Sequence, residues 1–362
     1  MTALEDIIRA RIAETGGMSV AEYMELCLAH PEHGYYMRRQ PFGAEGDFIT
    51  APEISQLFGE LLGIWAVTNW RQWGRPEKLH IVELGPGRGL LMADLLRAAR
   101  VDRHFMPALE LHLVETSPRL RAAQQERLAG VKVPAHWHED LPELGDGAVI
   151  VLANEFYDAL PVHHYERTDE GWRERLVVTG EDGALAFAAA GAPLREVPGW
   201  AAGLPAGSVI ELSPERAAHA ERLARLLAER QAAALIVDYG HMKPGPGETL
   251  QAVMKHEKVD VFTAPGAADL TAHVDFDALG RALQRGGLKV AGVMPQGVFL
   301  MALGLRQRLQ WLMNEADHET GERLLAGAKR LVEPEQMGEL FKVLGAHSAR
   351  VRAPYPFADE QT

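Results

Sequence analysis

The stretch Ile81-Val82-Glu83-Leu84-Gly85-Pro86-Gly87-Arg88-Gly89 constrains this chain more than any other. An apolar run fit for a buried strand empties through three glycines into Leu90–Arg97, whose apolar positions recur at helical spacing. Glycine belongs at such a turn because the backbone must bend sharply and pass close to a ligand with no Cβ in the way. The pattern then repeats. Short apolar runs at Leu79–Leu84, Leu109–Glu115, Val133–Trp137, Ala148–Ala153 and Ala234–Tyr239 alternate with helical segments. That alternation predicts a parallel sheet covered on both faces.

The glycines follow a G-x-G-x-G spacing, and Leu90 stands where a dinucleotide fingerprint carries its third glycine. The dinucleotide version sets a pyrophosphate on the helix N-terminus. S-adenosylmethionine has no phosphate, so its loop need only pass beneath the methionine and the ribose. Glu115 ends the next strand 26 residues after Gly89, where an acid can accept both ribose hydroxyls. Glu83 precedes the loop. The competing reading of these residues is a tight strand–helix turn with a surface acid. Asp140, after the third strand, is either an adenine contact or a solvated loop acid.

The fourth strand, Val149-Ile150-Val151-Leu152-Ala153, empties into Asn154-Glu155-Phe156-Tyr157-Asp158-Ala159-Leu160-Pro161. Ligands of doubly wound sheets lie beyond the carboxyl ends of the strands, so these residues are expected to face a transferring methyl. Positioning the nucleophile is the main task in such a transfer. Paired carboxylates suit a guanidinium, which they hold by charge-assisted forks. Glu155 and Asp158 share a face if the segment makes one helical turn. Alternatively, Asp158 caps a helix and Tyr157 packs.

Elsewhere the reading is coarser. Residues 4–28 are helical by period, with Ser19 and Glu22 spaced as a capping box. A helix after Pro52 carries Ile54, Leu57, Phe58, Leu61, Leu62 and Trp65 on one face, with Trp70 and Trp73 near it. Ser117 and Pro118 mark another helix start. Residues 165–212 break the period and predict an antiparallel insertion with a hairpin of Arg175–Thr179 and Ala184–Ala188. Residues 275–285 are helical, Leu288–Met294 is a strand, and 303–342 are mostly helical. The expected segments are an N-terminal helical cap (1–75), two core parts (76–164 and 213–302), the insertion between them, and a C-terminal helical segment (303–362).

Composition narrows the function classes. The formal net charge of -13 disfavours general phosphate-backbone binding, so no nucleic-acid partner is expected. Cys27 is the only cysteine, which rules out an intrachain disulfide and a cysteine-based zinc site. There is no signal-peptide pattern and no long apolar run, so membrane insertion is not expected and a bacterial cytoplasmic location is.

With these residues in hand, the chain resembles the MidA-like family of S-adenosylmethionine-dependent methyltransferases over roughly residues 5–345. The blocks that carry the resemblance are Gly46–Ser55, Glu83–Gly89, Val114–Pro118, Asn154–Pro161, Val237–Gly240, Asp269–Phe276 and Gln296–Leu300. The family's mitochondrial members are arginine methyltransferases in respiratory complex I assembly. The resemblance therefore implies an α/β fold: a Rossmann-like methyltransferase core with a doubly wound, mostly parallel seven-stranded sheet, an N-terminal helical cap, a β-hairpin insertion and C-terminal helices. It implies S-adenosyl-L-methionine as cofactor and an arginine of a protein partner as substrate, with a complex I subunit as one candidate. Its cofactor residues map to Glu83, Gly85, Pro86, Gly87, Gly89, Glu115, Thr116, Ser117, Asp140 and Asn154, with Gly46, Asp47, Thr50 and Pro52 lying over the ligand. Glu155, Asp158, Glu53 and His273 are the catalytic candidates. The family usually shows Phe where this chain has Tyr157. The absence of a transit-peptide pattern leaves this chain's own target open.

Other features weigh less. His273 is either a proton acceptor or a structural hydrogen-bonder, and Tyr239 either lines the pocket or packs. His136 with His138, and His163 with His164, lack accompanying ligands at a metal-binding spacing, so no metal site is expected. Three rival functions remain. One is an amino methyltransferase of a small molecule or base, although Asn154-Glu155-Phe156-Tyr157 lacks both prolines of the corresponding loop. The second is a cofactor-binding assembly factor without turnover. The third, a nicotinamide dehydrogenase, is opposed by Leu90.

Overall fold

The computed structural model describes residues 2–38 and 50–358. It separates into two compact units, each assembled from discontinuous segments.

The larger unit gathers Ile49–Tyr157, His219–Met242 and Phe276–Thr362. Its strands are β1 (Leu79–Leu84), β2 (Leu109–Val114), β3 (Ala135–His138), β4 (Ala148–Asn154), β5 (Ala232–His241), β6 (Lys289–Pro295) and β7 (Phe341–His347). These seven pair in the order β6-β7-β5-β4-β1-β2-β3. The run from β5 to β3 is parallel, and β7 is antiparallel to both of its neighbours. The expected doubly wound, mostly parallel sheet is present. Residues 303–342 are mostly helical, through Leu305–Glu315, His318–Val332 and a short π-helical turn, but β7, which follows, was not anticipated. β7 interleaves between β5 and β6, and all its residues are buried.

Two helices on one face show how the sheet is covered. α1 (Gln56–Gln72) packs along α2 (Leu90–Ala99), burying Leu57, Phe58, Leu61, Leu62 and Trp65 against Leu91, Leu95 and Leu96. Gly63 permits the close approach, because a Cβ there would meet the Leu95 carbonyl oxygen at 2.5 Å. The single helix expected after Pro52 is broken at Ser55, whose extended backbone ends the short helix Ala51–Ile54 and whose hydroxyl accepts from Leu57 N. Trp65, Trp70 and Trp73 all belong to this core.

The smaller unit gathers Met1–Phe48, Asp158–Ala218 and Lys243–Asp275. Helix Ala3–Thr15 ends at Gly16, in the left-handed region at φ 80, and helix Val20–Ala29 starts at Ser19, which accepts from Glu22 N as its sequence predicts. Leu4, Ile8, Tyr23, Met24 and Leu28 are packed with Val162, Val177 and Leu270 in one core. The expected hairpin is present, with Leu176–Thr179 paired to Leu185–Ala188, and His163–Thr168 pairs with Gly171–Glu174 and Val209–Leu212. A third small sheet (Gln251–Met254, Glu257–Val259 and Asp269–Thr271) was not anticipated. The unit boundaries do not coincide with the segment boundaries read from sequence. Residues 50–75 lie in the unit that contains the seven strands, and 243–275 lie in the other.

Candidate active site

At the carboxyl end of β1 the chain turns through Gly85, Gly87 and Gly89 with φ of 61, 51 and 73, a region that L side chains rarely occupy. Gly85 N donates to Val114 O at 3.0 Å and Gly89 N to Pro86 O at 2.8 Å, which closes the loop on itself and on β2. A Cβ on Gly85 would sit 3.1 Å from a ring carbon of Phe156. The turn therefore depends on glycine both for conformation and for clearance.

Two acids stand beside this loop. Glu83 is buried, and its Oε2 has no hydrogen-bond partner among the described residues. Loss of solvation, then the neighbouring Glu115, pushes its carboxyl up to about 8. Glu115 is also buried, and burial raises it as well, although several hydrogen bonds oppose the shift. Its Oε1 accepts from Ser117 N at 2.8 Å and its Oε2 from Gln124 Nε2 at 3.3 Å. The same amide nitrogen donates to Gly87 O at 2.7 Å, and Trp137 Nε1 donates to Gln124 Oε1 at 2.9 Å. One buried glutamine thus ties the glycine loop, Glu115 and β3 together. Sequence reading missed Gln124 and Trp137. A signal was available, since Leu120, Gln124 and Leu128 form one buried stripe of the helix Pro118–Leu128, and a polar residue in an apolar stripe has a partner to satisfy.

Thr116 is exposed, and Ser117 caps that helix. Asp140 is exposed, paired with Arg222 and accepting from Leu141 N at 2.8 Å, which is the environment of a solvated loop acid. Gly46 and Asp47 lie outside the described residues. Thr50 starts the short helix Ala51–Ile54, and Pro52 lies in its first turn.

The carboxyl end of β4 is built differently. Glu155 follows Asn154 with φ 51, a left-handed conformation in a residue that carries a side chain. Its Oε1 accepts from Ala51 N and from Asn154 Nδ2, each at 3.1 Å. Asn154 Oδ1 is buried with no partner among the described residues. Asp238, fully buried in β5, accepts from Tyr157 N at 3.0 Å and from Tyr239 N. Tyr157 packs, its hydroxyl 3.1 Å from His219 Nδ1. Burial, then Arg222, lowers His219 to about 4. Asp238 and His219 were not singled out from sequence. Tyr239 is buried against Phe341. Glu53 lies 3.5 Å from the Arg88 guanidinium, so one of the acids proposed for an arginine already holds one of the chain's own.

Asp158 and His273 belong to the smaller unit. Arg216 donates to the carbonyl oxygens of Asp158, Ala272 and His273, and His273 N donates to Thr249 Oγ1 at 2.8 Å. The backbone at both candidates is therefore fixed. His163 sits between Glu174 and Glu215, whose hydrogen bonds push it up to about 9. His136 and His138 do have company: His80, Glu110 and His112 from the adjacent strands β1 and β2.

The residues of the glycine loop fit a cofactor with cationic and hydroxyl groups. Two buried acceptors at the carboxyl ends of the adjacent strands β1 and β4, Glu83 Oε2 and Asn154 Oδ1, lack donors among the described residues. The model of an S-adenosyl-L-methionine-dependent methyltransferase family matches residues 61–294. The chain belongs to that family. A zebrafish relative, the mitochondrial protein arginine methyltransferase NDUFAF7, is 37% identical over 92% of this chain and 84% of its own length. The fruit-fly homologue is 39% identical over 93% and 83%, and the human protein 35% over 96% and 86%. A solved Burkholderia thailandensis structure with bound S-adenosyl-homocysteine is 31% identical, covers 95% of this chain and 92% of its own, and superposes with a TM-score of 0.82. This methyltransferase therefore uses S-adenosyl-L-methionine. No helix among its described residues is long and apolar enough to cross a membrane.

Proposed function

We propose that this methyltransferase modifies a guanidinium nitrogen of an arginine side chain on a protein partner. The observation that carries the reading is Glu155, a carboxylate held in a left-handed backbone conformation at the end of the strand beside the cofactor loop. Non-glycine residues adopt that conformation at a cost of about 1–2 kcal/mol, and such strain concentrates where a side chain must be aimed. The relatives named as protein arginine methyltransferases support the substrate class.

When bound, S-adenosylmethionine supplies a methyl group on a positively charged sulfur. The chain supplies position. Glu155 holds the guanidinium by a charge-assisted fork and keeps positive charge on the nitrogens that do not attack. Asn154 and Ala51 fix the carboxylate through its Oε1. Glu53 joins only when its pair with Arg88 opens. Glu115, Gln124 and the glycine loop hold the ribose side, and Glu83 faces the cationic end of the cofactor. Thr50 and Pro52 are assigned to the cofactor's cover, and Thr116 and Ser117 to its adenosine side. The site is proposed to work in the bacterial cytoplasm.

The test uses labelled S-adenosylmethionine and a lysate from the source cell lacking this protein. Label in protease-sensitive material is expected. Label confined to small molecules would instead identify an amine methyltransferase, and cofactor binding without any transfer would identify an assembly factor.

A further inference from the structure

Three adjacent strands carry a second cluster, away from the glycine loop. His80 of β1 is in register with Glu110 of β2, His112 of β2 with His136 of β3, and Val114 with His138. Side chains alternate across a strand, so His80, Glu110, His112, His136 and His138 share one face at the sheet's β3 edge. We propose that His80, Glu110 and His112, whose donor atoms all lie within 4.8 Å of one another, form a binding site for one divalent transition-metal ion, of which zinc is the type, with His136 holding Glu110 at the rim.

The donor atoms have the right separations. Tetrahedral zinc with ligand bonds of about 2.0–2.2 Å sets its donors about 3.3 Å apart. Here His80 Nδ1 lies 3.0 Å from His112 Nε2 and 3.7 Å from Glu110 Oε2. Glu110 Oε1 lies 3.0 Å from His136 Nε2 and 4.0 Å from His112 Nε2. Two imidazoles and one carboxylate make a donor set suited to zinc and its neighbours in the first transition row, not to magnesium or calcium.

The outer partners fit as well. A metal-bound histidine normally hands its other ring N–H to a carbonyl, carboxylate or similar acceptor, which fixes the tautomer. His80 Nε2 lies 3.2 Å from Asp146 O, and His112 Nδ1 lies 3.0 Å from His138 Nε2. Each inner histidine thus has a partner on the nitrogen that faces away from the shared point. Access is also provided. His80 and His112 are only 3% and 5% exposed, whereas Glu110 and His136 are 39% and 47% exposed and form an open rim. Glu83 lies three residues beyond His80 on the same strand, on the opposite face and about 10 Å along it. The ion would therefore pin β1 and β2 behind the cofactor loop and take no part in transfer.

The experiment titrates the full chain, stripped with chelator, with zinc against a competing chromophoric chelator. Uptake of one tightly held zinc per chain is expected, without competition from magnesium. His136→Ala and Glu110→Gln alter only the rim and should each weaken zinc at least about tenfold. Their S-adenosylmethionine affinity should stay within twofold of wild type, which reports an intact fold. Zinc should also raise the thermal midpoint of the wild type more than that of either variant. Wild-type binding no tighter than about 10 µM would overturn the proposal, because structural zinc sites bind far more tightly. Equal binding by the wild type and both rim variants would overturn it too, leaving the histidines as a neutral hydrogen-bond chain.

Discussion

Gly85 and Glu155 occupy equivalent places: each is the first residue beyond one of two adjacent parallel strands, and each is left-handed, with φ of 61 and 51. One has no side chain, and a Cβ there would stand 3.1 Å from the Phe156 ring. The other has a carboxylate clasped by Ala51 and Asn154. The same backbone conformation thus serves opposite ends. At β1 it lets the main chain pass close beneath a ligand, and at β4 it aims a charge. Glycine marks the first use in a sequence. The second leaves no mark, because the strained residue is an ordinary glutamate.

That contrast can be broken experimentally. Gly85→Val combines a disfavoured conformation with a steric clash, and cofactor affinity by calorimetry should fall at least about 100-fold. A loss below threefold would mean the loop is not the floor of the site. Glu155→Gln should cut methyl transfer by about 100-fold while leaving cofactor affinity within threefold. A large loss of cofactor binding would instead assign Glu155 to the cofactor. Glu155→Gly should lose transfer equally but gain up to about 1 kcal/mol of stability, because the conformation costs glycine little. Destabilisation would contradict the strain argument.

Glu83 sharpens the comparison through pH. Its carboxyl is pushed up to about 8 in the folded chain from an ordinary 4.5, so between these the native state holds a proton that the unfolded chain has released. Unfolding free energy should therefore fall as pH rises through that window, by at most about 1.4 kcal/mol per pH unit from this group, and the contribution should vanish in Glu83→Gln. Denaturant melts of both proteins at pH 5, 6.5 and 8 measure it. Asp140→Asn, at an exposed surface pair, should change cofactor affinity by no more than about twofold.

Much of the core was legible because it depends on local pattern. β1, β2 and β4 are apolar runs bounded by turns, and the glycine spacing, Glu83 and Glu115 lie within or next to such runs. β7 was not legible, because Leu340, Phe341 and Leu344 continue the apolar spacing of the preceding helix and only pairing with β5 and β6 makes the segment a strand. Gln124, Trp137 and Asp238 escaped for a related reason. Each is an unremarkable residue whose partner lies far away in sequence, such as Gly87 for Gln124 and Tyr157 for Asp238. The histidine cluster also stayed hidden, since each strand supplies only one or two members. Spacing along a chain cannot show ligands that meet across parallel strands.

The proposed arginine chemistry is tested most directly by hydrolysing the protein that takes up label from S-adenosylmethionine and identifying the modified amino acid. Methylarginine from the wild type, and none from Glu155→Gln, is the predicted result. Label on lysine, histidine or a carboxyl group would contradict the account, as would methylarginine made equally well by the variant.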